Sequence, residues 1–145
     1  MTDVIRRTTG IVLASGMALS LAVGEVSADE RKLAIELNAA QAVEKGCRVS
    51  FLIRNGMETE IGAAVFEVAV IGKDGLVSGL IRLDFGRLPV NKSRVRQFDL
   101  AGKGCGDVGR LLLNDVTECS GEGLTADVCL DALSVSARGD IAFDL

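Results

Sequence analysis

Five basic residues lie close together in one segment of the sequence: Arg82, Arg87, Lys92, Arg94 and Arg96. An arginine guanidinium binds a carboxylate through two parallel hydrogen bonds, so these side chains are suited to recognising an acidic partner. The alternative interpretation keeps the charge within the fold. In that case Asp84 would pair with arginines on neighbouring strands, while the remaining basic side chains would protect an edge or a loop against aggregation.

Strand periodicity raises a conflict within this segment. Side chains alternate between the two faces of a strand. Arg94 and Arg96 therefore share a face with the apolar Phe98 and Leu100. We expect a bulge or another local break in the register to separate the charged residues from the apolar ones.

Catalytic and metal-binding chemistry has few residues available in this chain. It contains no His, which excludes histidine-based acid–base relays and the common copper and zinc sites. The cysteines lack the spacings of zinc, iron–sulfur and haem-attachment motifs. We therefore predict no catalytic residue, no metal and no cofactor. Scattered acids leave a carboxylate-dependent hydrolase as an alternative, and these acids are Asp84, Asp99, Asp107 and Asp115.

The N-terminal residues 1–28 have the features of a signal peptide. Arg6 and Arg7 precede an apolar run over residues 10–23, and small residues end at Ala28. The apolar run is shorter than the roughly 20 residues that span a membrane. We expect cleavage after Ala28 and export by the general secretory or the twin-arginine route. The mature protein would be periplasmic or secreted, without stable membrane insertion.

Composition places the remaining residues, 29–145, in a single globular domain. Of the 145 residues, 48% are hydrophobic and 25% are charged, which suits one core. The formal net charge is −4, which argues against a nucleic-acid partner because phosphate backbones require a basic surface. The basic segment is therefore a local feature of an acidic protein.

Short runs of Val, Ile, Leu and Phe separated by turn residues predict β-strands. The predicted strands are 33–37, 48–54, 63–71, 76–85, 94–100 and 110–115, and a last run over 133–145 is one bulged strand or a hairpin. The Asp-Gly turn at 74–75 makes the third and fourth strands hairpin partners. Residues 124–132 predict one or two helical turns capped by Thr125. About seven short strands, with a helical turn before the last, are typical of an all-β, immunoglobulin-like β-sandwich.

Four cysteines remain after signal cleavage, and they are Cys47, Cys105, Cys119 and Cys129. An even number in an exported chain predicts two disulfides. In a seven-strand sandwich the second and sixth strands run in the same direction on facing sheets, so Cys47 and Cys105 lie at the same end. Cys119 and Cys129 bracket the connection before the last strand. The favoured pairing is therefore Cys47–Cys105 with Cys119–Cys129.

Four segments of the chain resemble an uncharacterised family of exported bacterial proteins labelled by their twin-arginine signal sequence. They are FLIRN at 51–55, LDFGRLP at 83–89, RVRQFDL at 94–100 and GRLLLN at 109–114. The resemblance covers most of the mature chain, including cysteines in similar places. It implies a periplasmic protein, and it draws attention to Arg94, Arg96, Phe98 and Asp99 without assigning them a role.

These observations together predict a non-catalytic binding or accessory protein that interacts with another envelope protein. The alternatives are the carboxylate-dependent hydrolase and a structural subunit of a larger envelope assembly. The oligomeric state is left open. The predicted partner-binding residues are the five basic residues of the segment that contains the only proline, Pro89.

Overall fold

Alternating apolar side chains produce the strands. In Gly46–Asn55, for example, Val49, Phe51 and Ile53 are fully buried, while the residues between them are partly or fully exposed. The computed structural model describes residues 33–145, so the signal peptide predicted for residues 1–28 lies outside the described residues. The strands are β1 (Leu33–Val43), β2 (Gly46–Asn55), β3 (Ile61–Gly72), β4 (Val77–Leu88), β5 (Ser93–Ala101), β6 (Val108–Ser120), β7 (Leu133–Ala137) and β8 (Ala142–Asp144).

The strands form two four-stranded sheets that face each other across the core. One sheet has the order β5-β2-β1-β7 and the other has the order β4-β3-β6-β8. Neighbouring strands are antiparallel, except that β7 runs parallel to β1 and β8 runs parallel to β6. The all-β sandwich with a short helix before the last strands is confirmed. Its identity as an immunoglobulin-like sandwich stays a prediction.

The last predicted run is divided between the two sheets. β7 pairs with β1, whereas β8 pairs with β6. The expectation of one bulged strand or a hairpin is therefore wrong. The Arg138 amide donates to the carbonyl oxygen of Leu37 at 2.8 Å, after which the chain crosses to the other sheet. This crossing places Ile141 and Phe143 in the core.

β1 and β6 continue beyond the ends predicted for them, because bulges in these strands interrupt the two-residue alternation on which the prediction depends. The register of β1 shifts between Leu37 and Ala39, and the register of β6 shifts at Asn114 and at Thr117. Each bulge adds an unpaired residue and reverses the faces of the residues beyond it. Both predicted strands ended close to these positions, since the two-residue pattern stops there.

All five phenylalanines of the chain form one cluster that joins the sheets. The ring centroid of Phe51 lies 5.5 Å from that of Phe85, 6.0 Å from that of Phe98 and 5.3 Å from that of Phe143. Phe66 contacts Phe85 at 5.3 Å. The rings meet edge to face, an arrangement that aromatic pairs prefer. The cluster therefore connects β2 with the edge strands β4, β5 and β8.

Both predicted disulfides are present. Cys47 of β2 is bonded to Cys105, which lies in a 3₁₀ helix, Cys105–Asp107, just before β6. Cys119 of β6 is bonded to Cys129 in the helix α1, Ala126–Ala132. The first disulfide ties the two sheets together at one end of the sandwich. The second fastens α1 to β6.

The helix α1 begins as predicted. Thr125 caps it by accepting a hydrogen bond from the Val128 amide at 3.2 Å, which satisfies one of the amides left free in a first helical turn. Among residues 33–145, no helix has the length and apolar character needed to cross a membrane.

The end of the sandwich away from Cys47–Cys105 is organised by the buried side chain of Asn55, the last residue of β2. Its Nδ2 donates to the carbonyl oxygens of Thr59 and Leu88, each at 2.9 Å. Its Oδ1 accepts from the Met57 amide at 3.0 Å. The backbone carbonyl of Asn55 accepts from the Asn91 amide at 2.8 Å. This residue therefore joins β2 to the connection that follows it, to the end of β4 and to the connection that leads into β5.

We expect Asn55→Ala to lower the free energy of unfolding by about 2–4 kcal/mol, because three side-chain hydrogen bonds are lost and buried carbonyls lose their donor. Chemical denaturation with the disulfides intact measures this change. The matched control is Asn114→Ala, since Asn114 is exposed and donates to Glu67 at 2.7 Å, and we expect it to change stability by about 0.5 kcal/mol or less. Equal losses in the two variants would contradict the role of Asn55.

Candidate functional site

The structure distributes the five predicted basic residues over several surfaces. Arg82 is directed outward from β4, and Arg87 lies near the end of the same strand. Lys92 lies in the connection between β4 and β5. Arg94 and Arg96 lie on the face of β5 that is directed toward the other sheet. The five side chains therefore do not form one continuous basic face.

The pairing of β5 with β2 contains no bulge. Its register runs without a shift along the whole ladder. The expected local break in the register is therefore wrong, and Arg96 shares the inward face with Phe98. The physical reason is that β5 is an edge strand, where a long side chain can lay its methylene groups along the core and carry its charge to the rim.

Arg96 joins the two sheets by a hydrogen bond to backbone. Its Nε donates to the carbonyl oxygen of Phe85 in β4 at 2.8 Å. Phe85 has no partner in β3, because a bulge leaves it unpaired between Asp84 and Gly86. Gly86 has a φ of 66°, a left-handed conformation that glycine adopts at little cost. Next to this bond the rings of Phe85 and Phe98 lie 5.2 Å apart, so polar and aromatic contacts together close this side of the sandwich.

Two other arginines are held by bidentate ion pairs. Arg87 donates to both carboxylate oxygens of Glu60, at 2.8 and 2.7 Å. Arg48 donates to both carboxylate oxygens of Asp99, at 2.7 and 2.8 Å. The hydrogen bonds from Arg48 lower the pKa of Asp99. Exposed pairs of this kind contribute little to stability, but they leave Arg87 occupied within the fold.

The alternative interpretation, in which Asp84 pairs with arginines on neighbouring strands, is wrong. Among the described residues, Arg82, Arg94 and Arg96 form no ion pair. β4 and β5 belong to different sheets, so the residues of one have no cross-strand partners in the other. Asp84 instead accepts a hydrogen bond from the Gly86 amide at 2.8 Å, which braces the bulge.

Three cations of the segment are left without a carboxylate partner in the part of the chain that the structure describes, and we call Arg82, Lys92 and Arg94 the cationic rim. Arg82 and Lys92 are exposed, and Arg94 is half-buried. Within residues 33–145 the Arg94 side chain makes a single hydrogen bond, from Nη1 to the carbonyl oxygen of Ser93 at 3.3 Å. The cationic rim therefore has guanidinium and ammonium groups free to meet carboxylates from outside the fold.

The acids considered for hydrolysis lie on separate elements, and three of them have contacts of their own. Asp115 accepts from the Val116 amide at 2.8 Å, Asp84 is bonded to Gly86, and Asp99 to Arg48. Asp107 lies in the 3₁₀ helix. Within residues 33–145 no group of three or more Cys, Asp or Glu side chains is placed to hold a metal ion.

Among the clefts formed by residues 33–145, three have volumes of about 600, 520 and 400 Å³. The largest lies between the β3–β4 turn and the 3₁₀ helix, where Lys73 and Lys103 line it. None of the three is lined by the five basic residues of the segment. The clefts and the cationic rim are therefore separate features.

Two structural residues were missed by the sequence reasoning. Asn55 and Gly56 predict a turn, and turn residues are expected at the surface, whereas Asn55 is buried. The role of the Phe85 carbonyl depends on a bulge that no local pattern marks.

We expect Arg96→Met to lower the free energy of unfolding by about 1–3 kcal/mol, because the carbonyl oxygen of Phe85 loses its donor while the apolar stem is kept. Arg94→Met is the matched control, since Arg94 lies on the same face of β5 and bonds only to its own strand. We expect the control to change stability by about 0.5 kcal/mol or less. Urea denaturation measures both changes. A larger loss of unfolding free energy in Arg94→Met than in Arg96→Met would refute the bridging role of Arg96.

A comparison of the chain with known protein families, curated proteins and solved structures finds no match. The assignment of a function therefore depends on the residues and their geometry.

Proposed function

We propose that this protein is an exported, non-catalytic binding protein whose partner is another protein of the bacterial envelope. The two disulfides are typical of proteins from an oxidising, exported environment. The signal-peptide features of residues 1–28 and the resemblance of four segments to exported proteins support the same location. In this proposal the mature chain is periplasmic or secreted.

The observation that carries the proposal is the cationic rim. Arg82 lies on β4, Lys92 on the connection between β4 and β5, and Arg94 on β5, in a protein whose formal net charge is −4. The other two basic residues of the segment are used within the fold, Arg87 by Glu60 and Arg96 by the Phe85 carbonyl. Charged groups at a protein surface steer association and select partners of opposite charge. The partner is therefore expected to present carboxylates.

The test measures how much partner protein each of two triple variants captures from the native envelope by chemical cross-linking. The first is Arg82→Gln with Lys92→Gln and Arg94→Gln. We expect it to fold with an unchanged midpoint of denaturation and to lose roughly ten-fold or more of the captured partner, since interface arginines can each contribute on the order of 2 kcal/mol.

The matched control replaces three cations at the Cys47–Cys105 end of the sandwich, where Lys45, Lys73 and Lys103 lie in loops and turns. The variant Lys45→Gln with Lys73→Gln and Lys103→Gln changes the net charge by the same amount. We expect it to capture the partner as the native protein does. Equal capture by the two triple variants, whether high or low, would show that the cationic rim is not the binding site.

A further inference from the structure

Three of the four sheet edges are protected against pairing with another strand. β7 and β8 have only five and three residues, and short edge strands offer little to pair with. β5 carries Arg94 and Arg96 on its inward face, and inward-directed charge is another protective device. The last part of β4 is interrupted by the bulge at Phe85 and bonded to Arg96. The remaining edge is the earlier part of β4.

This remaining edge is regular and exposed. Between a register shift at Ser78 and the bulge at Phe85, residues 79–84 pair with β3 without interruption. Because β4 is an edge strand, the other side of this segment makes no backbone hydrogen bond within residues 33–145. The Leu80 side chain on the outward face is 57% exposed. Six regular residues extend for about 20 Å, the length of an ordinary strand.

The outward face of this segment also specifies what would pair with it. Leu80 lies beside the buried Ala69 and the half-buried Leu112, which form an apolar row across the sheet. Two residues on, Arg82 lies opposite Glu67, which is itself hydrogen-bonded to Asn114 at 2.7 Å. A strand added at this edge would complement the face with an apolar side chain opposite Leu80 and a carboxylate opposite Arg82.

A second copy of the chain does not supply this complement. Residues opposite each other in a two-fold antiparallel pair must lie on the same face. Centred on residue 80, 81 or 82, the pairing of two β4 strands places Arg82 opposite Ser78, Leu80 or another Arg82, respectively. Centred on residue 83 it places Arg82 opposite Asp84, but it then runs onto the bulge at Phe85 and leaves Leu80 without an apolar partner.

We propose that residues 79–84 of β4 accept an extended segment of the partner protein as an added strand, with a carboxylate of that segment opposite Arg82 and an apolar side chain opposite Leu80. Main-chain hydrogen bonds would hold the segment, and the side chains on alternate positions would select it. This inference rests on the proposed function, because it assigns one residue of the cationic rim to a particular mode of binding.

The test uses two blocked nine-residue peptides in which Val and Thr alternate. The central Val is replaced by Glu in one peptide and by Lys in the other. We expect the native protein to bind the Glu peptide with a Kd roughly ten-fold lower than that for the Lys peptide. Arg82→Glu should reverse this preference. In both proteins the amide resonances of residues 79–84 should shift on binding and those of β7 should not.

Lys92→Glu is the control, since it changes the net charge equally in the connection outside β4, and it should keep the preference for the Glu peptide. Loss of the preference in this control, absence of peptide binding, or dimerisation through β4 would each overturn the inference. If neither peptide binds, while the triple variant of Arg82, Lys92 and Arg94 still loses the envelope partner, strand addition is wrong and the proposed binding function stands. If the rim variant also captures the partner normally, both proposals fail.

Discussion

A hydrogen bond from an arginine to a backbone carbonyl, set beside the aromatic cluster, closes this sandwich along the side where β4 and β5 form the edges. The two sheets share no strand pairing there, and only the short connection after β4 joins them covalently. Arg96 donates across the gap to the carbonyl oxygen of Phe85, at 2.8 Å. The Phe85 ring lies on the same inward face as Leu83 and packs against Phe51. Removing the donor would therefore leave a polar group unsatisfied beside the aromatic core.

The same contact divides β4 into two parts with different surroundings. Beyond the bulge, the strand is held by Arg96, by the Asn55 side chain at Leu88 and by the Arg87–Glu60 ion pair. Before the bulge, the strand is bonded to β3 on one side only and exposes Leu80 and Arg82. The arginine-rich segment thus contains a structural part and an open part, which explains why its charges are neither all paired nor all on one face.

The features that the sequence predicts correctly depend on the order of the strands. The features that it does not predict depend on which strands lie at an edge and on where bulges occur. The disulfide pairing required only the order of the strands and the end at which each cysteine lies, so Cys47–Cys105 and Cys119–Cys129 were predictable. The alternation in β5 also places Arg96 correctly beside Phe98, but the predicted break in the register is absent because an edge strand lets Arg96 carry its charge to the rim. Nothing local in the sequence shows that β5 is an edge. Asn55 and Gly56 predict a surface turn, and the burial of Asn55 could not be predicted because its hydrogen bond to Leu88 joins residues that are distant in the chain.

The most direct test is amide hydrogen exchange along β4, because local opening reports how each part of a strand is held. We predict that residues 85–88 exchange on average about ten-fold more slowly than residues 77–84 in the native protein. In Arg96→Met the exchange of 85–88 should accelerate toward that of 77–84, while the central strand β3 stays protected. Uniform exchange along β4 in the native protein, or no acceleration in Arg96→Met, would contradict the division of β4 by the Arg96–Phe85 hydrogen bond.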